Sequence, residues 1–290
     1  MTDEIILRAE KLRIAFRFSG RESVPVRGVS LAIRRSERVA IVGESGCGKS
    51  LTALALGGLV ERASVSGTVA GTAKIAYVFQ DPMQSLDPVM KIWRQIVEST
   101  GKRRADAEKL LLDVGLDRSA AERYPCELSG GQRQRVMIAA ALAQEPDVIV
   151  ADEPTTALDV TTQRDVLDLV ERIAEARGMA VLLITHNLAL VKRYCAYVHV
   201  MYAGEIVERG RVGELLANPR HPYTRGLLAA VPRLDRPRDA ELKDIPGTVP
   251  PPWAWPSGCA FHPRCPVARP ECASPGFTSC PYCPADGCAG

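Results

Sequence analysis

Short apolar runs alternate with amphipathic segments over the first 212 residues of the chain. Strands that alternate with helices predict an α/β fold built on a largely parallel sheet. Four runs have strand length and are rich in Val, Ile, Leu and Ala, namely residues 38–42, 75–79, 147–151 and 179–184. Further elements are predicted as strands at residues 5–12, 29–33, 198–201 and 205–208, and as helices at residues 51–59, 166–173 and 212–216.

A different pattern occupies residues 92–116, where apolar side chains recur at helical spacing without an intervening strand. We therefore predict an all-helical insert at about residues 86–144, between two parts of the α/β core at residues 1–85 and 145–212. Residues 57–67 are predicted to form a short connection and residues 19–23 a turn. Asp81-Pro82 and Asp87-Pro88 are expected to interrupt regular structure.

The composition changes after about residue 212. Residues 213–290 hold 15 of the 21 prolines, and the last 32 residues hold six of the nine cysteines. Residues 246–252 are too rich in proline for a helix or an interior strand, so an extended linker is expected there. We predict a small Cys/Pro-rich C-terminal domain at residues 213–290.

The overall composition narrows the class of protein. With 290 residues, 46% of them apolar and 24% charged, the chain suits one large globular domain with an appendage. Its 37 basic and 34 acidic residues are too evenly balanced to favour a nucleic-acid partner. The acidic start at residues 1–4 predicts no secretory signal, and no apolar run approaches the ~20 residues of a membrane span. We expect a cytosolic protein that reaches a membrane through partners.

A glycine-rich motif lies directly between the strand at residues 38–42 and the helix that starts near Leu51. Backbone N–H groups in such a loop can converge on phosphates, and the helix N-terminus adds partial positive charge. Lys49 is predicted to reach the terminal phosphates of a nucleotide, and the Ser50 hydroxyl to ligate Mg²⁺. The alternative is an ordinary glycine-rich turn. The motif is Gly43-Glu44-Ser45-Gly46-Cys47-Gly48-Lys49-Ser50.

Other polar groups stand at the ends of predicted elements. Asp152 and Glu153 end a buried strand, where one carboxylate can hold Mg²⁺ and the other can orient or deprotonate a water. His186 follows another strand and is either a ligand contact or a structural histidine. A third candidate is an anion site or an ordinary helix cap at the start of a helix, with the sequence Leu128-Ser129-Gly130-Gly131-Gln132.

Two aromatic residues, Phe16 and Phe18, stand just before the predicted turn at residues 19–23. Each can pack in the core or provide a platform on which an adenine ring stacks. Packing is the more general use of such side chains, and the residues alone leave both uses open.

Several of these motifs, in their order along the chain, resemble the motif set of ATP-binding cassette (ABC) transporter subunits. They are the loop at residues 43–50, Gln80, residues 128–132, Asp152-Glu153, Leu158-Asp159 and His186. The resemblance covers about residues 5–212. It implies that Phe16 stacks on adenine, that Asp152, Ser50 and Gln80 contact Mg²⁺, that Glu153 is the catalytic base and that His186 contacts the γ-phosphate. It also implies that Ser129, Gly130, Gly131 and Gln132 bind ATP held on a second subunit, with Asp159 at the dimer seam.

Three stretches, residues 80–88, 151–161 and 221–228, are similar to the oligopeptide, dipeptide and nickel importer branch. That resemblance implies two membrane-spanning permease subunits, a second ABC ATPase subunit and an extracytoplasmic solute-binding protein. The second ATPase subunit is expected to be a different chain, with a homodimer as the alternative. The expected location is peripheral, on the cytoplasmic face of the cell membrane.

The cysteine tail carries a further prediction. Its C-x5-C-x6-C-x7-C spacing is not a standard zinc pattern. The tail resembles the C-terminal domain of peptide importer ATPases, which implies a [4Fe–4S] cluster; zinc and free thiols are the alternatives. The proposed ligands are Cys259, Cys265, Cys272 and Cys280. Because Cys283 and Cys288 follow in the same tail, the identity of the fourth ligand is open. Cys47, Cys126 and Cys195 are expected to be small packing residues.

The sequence is compatible with three candidate functions. The first is an importer ATPase for peptides, nickel or metal chelates. The second is a soluble cassette protein that acts on nucleic acid or ribosomes, which usually has two cassettes or a long coiled-coil insertion, and neither is present in this sequence. The third is a metal or redox module without ATPase activity, which leaves Lys49 and Asp152-Glu153 unexplained. We favour the importer ATPase.

Overall fold

The computed structural model describes residues 4–18, 20–154, 159–231, 244–275 and 277. The chain forms two compact units: unit 1 comprises Met1–Glu4, Arg34–Glu37 and Thr72–Leu183, and unit 2 comprises Ile5–Ile33, Arg38–Gly71 and Ile184–Gly290. The strands are β1 (Ile5–Phe18), β2 (Arg21–Arg34), β3 (Arg38–Val42), β4 (Ser64–Gly71), β5 (Ile75–Val78), β6 (Val148–Asp152), β7 (Ala180–Thr185), β8 (Tyr197–Tyr202) and β9 (Glu205–Arg211). The α-helices are α1 (Lys49–Leu56), α2 (Pro82–Ser85), α3 (Ile92–Val97), α4 (Arg104–Asp113), α5 (Gly130–Ala143), α6 (Val160–Arg177), α7 (Leu188–Tyr194), α8 (Val212–Ala217) and α9 (Pro222–Ala230).

Unit 1 combines parallel strands with the helical insert. Strand β5 pairs in parallel with β6, with Val78 opposite Ala151, and β7 follows β6 in the sheet. Helices α3, α4 and α5 share one apolar core with β5, β6 and α6, and its fully buried members include Ile92, Leu111 and Ile138. Residues 86–144 contain helices and 3-10 turns without a strand.

Unit 2 contains a three-stranded sheet in the order β2-β1-β4, in which β1 and β4 are antiparallel. Strand β3 pairs in parallel with β8, and β8 pairs antiparallel with β9. The core of this unit joins Val42 and Val200 to the tail residues Ala260 and Phe261. The described part of the tail is therefore packed into the core of unit 2. The three-part division at residues 1–85 with 145–212, 86–144 and 213–290 stays a prediction.

Several sequence predictions of local structure are wrong. The predicted connection at residues 57–67 contains the first half of β4, which escapes detection because every residue of this strand is exposed and no apolar alternation marks it. Asp81-Pro82 begins α2 instead of interrupting structure, since the Asp81 carboxylate accepts the Met83 N–H (2.8 Å) and Pro82 suits the first helical turn. Strand β1 continues through the two aromatic residues to Phe18.

The expected linker at residues 246–252 has neither helix nor strand. It is not free of the core, since Val249 packs against the core of unit 2 and the Pro252 carbonyl accepts the Val24 N–H (2.9 Å). Among the described residues, none of the helices is both long and apolar enough to cross a membrane.

Candidate nucleotide site

The loop at residues 43–50 follows β3 and leads into α1, as the sequence predicts. Gly48 is the N-cap of α1 at φ +100°, a left-handed conformation in which a β-carbon would lie 2.5 Å from the Pro25 carbonyl oxygen. The loop therefore reaches the helix along a path that requires glycine at this position.

The Lys49 ammonium is folded onto its own loop. It is 5% exposed and donates to the carbonyl oxygens of Gly43 (2.9 Å) and Glu44 (3.0 Å). The next residue, Ser50, is exposed in the first turn of α1, so its hydroxyl is accessible to a metal ion or a phosphate. A cation at a helix N-terminus beside glycine amides is suited to bind a polyphosphate.

Cys47 lies inside the loop and is fully buried, and burial raises the pKa of its thiol to about 11. The thiol is therefore protonated and unreactive at neutral pH, which fits the predicted packing role. Cys126 is exposed, so the packing role predicted for it is wrong. It lies in a 3-10 turn just before α5, where its side chain points away from the core.

Glu44 has partners that the sequence motifs did not reveal. Its backbone N–H donates to the Tyr223 hydroxyl (2.8 Å), and its carboxylate accepts from Arg264 at 2.7 and 2.9 Å. Tyr223 lies in residues 221–228, which resemble the importer branch, and Arg264 lies between Cys259 and Cys265 of the tail. No local pattern links either of them to the loop.

In unit 1, the candidate carboxylates lie where parallel strands end. Asp152 is the last residue of β6, Glu153 follows it, and Gln80 is two residues beyond the end of the neighbouring β5. Because β5 and β6 run in parallel register, Gln80 and Glu153 emerge at the same sheet edge. Glu153 has φ 43°, a strained conformation for a residue with a side chain and one that is common at functional sites.

The segment at residues 128–132 begins α5 with a capping box. The Ser129 hydroxyl accepts the Gln132 N–H (3.3 Å), and the Gln132 amide oxygen accepts the Ser129 N–H (3.0 Å). A β-carbon on Gly131 would lie 2.7 Å from the Thr162 methyl group, so α5 and α6 approach closely here. Asp159 caps α6, and hydrogen bonds from Thr162 and Thr161 lower the pKa of its carboxyl. Unit 1 thus places Ser129, Gly130, Gly131 and Gln132 beside the start of α6.

Two further candidates belong to unit 2. His186 is exposed immediately after β7, before Asn187 caps α7 by accepting the Ala189 N–H (2.9 Å). Phe16 is half-buried on β1, so part of its ring is exposed. The side chain of Phe18 lies outside the described part of the structure.

Mg²⁺ prefers oxygen ligands, and each unit offers one of that type: the Ser50 hydroxyl in unit 2 and the Asp152 carboxylate in unit 1. The cysteine tail gives a different result. Within the residues that the structure describes, no three His, Cys, Asp or Glu side chains converge on a potential metal site. Cys259 and Cys265 pack against the apolar core of unit 2, and Cys272 is buried. The described cysteines therefore do not fit a metal or iron–sulfur centre, and Cys280, Cys283 and Cys288 lie outside the described residues.

Comparison with known proteins supports the motif assignments at the level of family. Residues 26–156 match the family model described as ABC transporter, and residues 207–272 match that described as Oligopeptide/dipeptide transporter, C-terminal region. A Brucella abortus protein named for peptide import ATP-binding is 44% identical over 94% of this chain and 92% of its own length. The oligopeptide transport ATP-binding protein OppD of Mycobacterium tuberculosis is 42% identical over 92% of this chain and 48% of its own length.

Solved structures show the same fold. The ATP-binding cassette MJ0796, solved as a dimer in a post-hydrolysis state with ADP and Pi, has a TM-score of 0.63 and 26% identity. The alignment covers 71% of this chain and 99% of that cassette. CbiO1 from Clostridium perfringens, part of the ABC transporter complex cbiONQ, has a TM-score of 0.64 and 26% identity over 74% of this chain and 92% of its own.

Proposed function

This chain belongs to the ABC transporter family of ATP-binding proteins, and from that premise we propose that it powers import of oligopeptides, dipeptides or related solutes. It is the ATPase subunit of an importer, in which ATP binding and hydrolysis are coupled to transport. The observation that carries the substrate class is the match of residues 207–272 to the C-terminal region of oligopeptide and dipeptide transporters. The alternative, a nickel or metal-chelate importer, shares the same ATPase chemistry.

The roles of individual residues are part of the same proposal and rest on the resemblance to ABC subunits. The loop amides and Lys49 hold the phosphates, and Lys49 exchanges the Gly43 and Glu44 carbonyls for phosphate oxygens when nucleotide binds. Bound Mg²⁺ would neutralise phosphate charge, and the resemblance to ABC subunits implies that Ser50, Gln80 and Asp152 would contact it. Phe16 offers the exposed part of its half-buried ring to the adenine.

At the edge formed by β5 and β6, Glu153 accepts a proton from the attacking water, and Gln80 orients that water. His186 contacts the γ-phosphate from the end of β7. Because catalysis of phosphoryl transfer depends largely on positioning and charge, Gln80 and His186 act by holding reactants in place.

The second half of the site comes from another ATPase subunit. Ser129, Gly130, Gly131 and Gln132 bind the γ-phosphate held on the opposite subunit, with Asp159 at the seam. The helix N-terminus at α5, capped by Ser129, supports this role because its free amides favour an anion. The dimeric state of the similar cassette MJ0796 supports the arrangement. The full complex also contains two permease subunits and an extracytoplasmic binding protein, and the chain is peripheral at the cytoplasmic face of the membrane.

A [4Fe–4S] cluster on Cys259, Cys265, Cys272 and Cys280, or zinc in its place, remains a separate prediction that no described contact supports. Iron, sulfide and zinc analysis of protein purified without oxygen tests it. Iron and sulfide, or zinc, in amounts close to one centre per chain would support it, and absence of all three elements would contradict it.

The catalytic assignment is tested with Glu153→Gln and Lys49→Ala in the assembled complex. Glu153→Gln should keep MgATP binding and lower hydrolysis by about 10²- to 10⁴-fold, the usual contribution of a general base. Lys49→Ala should weaken MgATP binding itself. Hydrolysis by Glu153→Gln near the parent rate would refute the base assignment. Mass spectrometry of solute bound to the purified complex separates peptide from metal-chelate import.

A further inference from the structure

Residues of the C-terminal region bind Glu44, the second residue of the phosphate loop at residues 43–50. The guanidinium of Arg264 makes two parallel hydrogen bonds to the Glu44 carboxylate, from Nη1 to Oε2 (2.7 Å) and from Nη2 to Oε1 (2.9 Å). The Arg264 side chain is 4% exposed and that of Glu44 is 31% exposed. A bidentate pair of this kind fixes orientation as well as distance.

A second contact holds the backbone at the same residue. The Glu44 N–H donates to the Tyr223 hydroxyl (2.8 Å), and Tyr223 is fully buried. Its ring packs against Tyr202 and Phe261, with ring centroids 4.6 and 5.4 Å away. Both the amide and the carboxylate of Glu44 are therefore bound by residues that belong to the C-terminal region.

Arg264 is itself held rigidly. Its Nε donates to the Pro246 carbonyl (2.8 Å) and its Nη2 to the Ile245 carbonyl (3.2 Å). The guanidinium carbon lies 5.7 Å from the centre of the Tyr202 ring, close enough for a cation–π contact. A guanidinium fixed by these contacts transmits the position of the tail to Glu44.

Glu44 is also linked to the phosphate-binding cation, since its carbonyl accepts from the Lys49 ammonium (3.0 Å). Any shift of Glu44 therefore moves the backbone on which Lys49 rests. Displacements of about 1 Å in a preorganised site can cost about 100-fold in function.

We propose that Arg264 and Tyr223 are positioning residues for ATP binding, which hold the phosphate loop in its binding conformation through Glu44. The C-terminal region is thus part of the nucleotide site of this chain. This inference rests on the proposed role of residues 43–50 in binding ATP.

The test measures the Kd of MgATP for the full-length chain by titration calorimetry, together with its Tm. Arg264→Gln should weaken binding about 10- to 100-fold, and Arg264→Lys should recover part of that loss because it keeps one charged contact. Tyr223→Phe, which removes only the hydroxyl acceptor, should weaken binding several-fold. Glu44→Gln combined with Arg264→Gln should be no weaker than Arg264→Gln alone, since both break one interaction.

The matched control is Arg13→Gln, which breaks the exposed Arg13–Glu22 pair (3.2 Å) in the same unit. It should leave the Kd unchanged. In the assembled complex, Arg264→Gln should raise KM for ATP with little change in kcat, a split that a general loss of stability would not produce.

If Arg264→Gln does not fold, the Kd values of MgATP for Arg264→Lys and Tyr223→Phe test the proposal instead. Parent-like Kd values in the folded variants would overturn the proposal. Lys49→Ala distinguishes failure of the proposed ATP site from failure of the proposed positioning role. If Lys49→Ala also leaves the Kd unchanged, residues 43–50 do not form the ATP site. If Lys49→Ala alone weakens binding, only the positioning role of Arg264 and Tyr223 is refuted.

Discussion

His221 provides a direct test of how the described tail is packed in unit 2. Its side chain is 1% exposed, and its Nδ1 accepts the Tyr223 N–H (3.0 Å) at the start of α9. The ring lies 5.7 Å from that of Phe261, and the backbone N–H of His221 donates to the Glu208 carboxylate (3.0 Å). Burial lowers the pKa of His221 from 6.5 to about 4. Protonation at Nδ1 would replace the acceptor that caps α9 with a donor.

The sign of the pH effect follows from where protons bind. In the unfolded chain His221 takes up a proton as the pH falls below 6.5, whereas in the folded chain it does so only near 4. Between these values the unfolded state holds more protons, so the free energy of unfolding rises with pH. The contribution of neutral His221 to the free energy of unfolding is therefore fully present above pH 6.5 and is lost as the pH falls toward 4. The whole difference amounts to about 3.4 kcal/mol, of which about 2 kcal/mol is lost by pH 5.

The assay is urea denaturation of the parent and His221→Asn at pH 7 and pH 5. Asparagine keeps a capping acceptor and does not titrate, so the variant should lose about 2 kcal/mol less than the parent between these pH values. His199, whose pKa burial lowers to about 3, is present in both proteins, so its contribution cancels in the comparison. Equal losses in the two proteins would refute the buried, neutral state of His221.

Three further outcomes test the loop and the start of α5. Gly48→Ala should destabilise the fold by about 2 kcal/mol and weaken MgATP binding, since it imposes φ +100° on alanine and places a β-carbon 2.5 Å from the Pro25 carbonyl; an unchanged Tm and Kd would contradict this. Gly131→Ala should lower hydrolysis in the assembled complex while the isolated chain binds MgATP as the parent does, and loss of that binding would count against a role on the opposite subunit. Cys47 should resist iodoacetamide at pH 8 while the exposed Cys126 is alkylated, as mapped by mass spectrometry; comparable labelling would disprove the burial of Cys47.

Local patterns in the sequence identified most of the elements that carry the candidate site. The strands before the phosphate loop and before Asp152 are continuous apolar runs, because parallel strands are covered on both faces. The capping box at Ser129 and the cap at Asp159 also depend on residues only two or three positions apart. Such signals survive in sequence because the interacting groups are neighbours along the chain.

Predictions from the sequence failed where the burial or strand pairing of a residue depends on residues distant along the chain. Strand β4 is exposed along its whole length, so pairing with β1 and not hydrophobicity makes it a strand. The cysteine cluster was implied by a resemblance of the tail to peptide importer ATPases and no described contact supports it, since Cys259 and Cys265 take part in the packing of unit 2. Spacing does not fix where side chains point when the intervening backbone is irregular.

The sequence by itself determined the family and identified the loop at residues 43–50 and the candidate carboxylates Asp152 and Glu153, because each is part of a short motif of adjacent residues. The tertiary structure alone showed that Glu44 is bound by Tyr223 and Arg264. Arg264 lies 220 positions further along the chain than Glu44, and the bond forms only when the tail joins the core of unit 2. No local periodicity can encode a contact of that separation, because folding alone brings the two residues together.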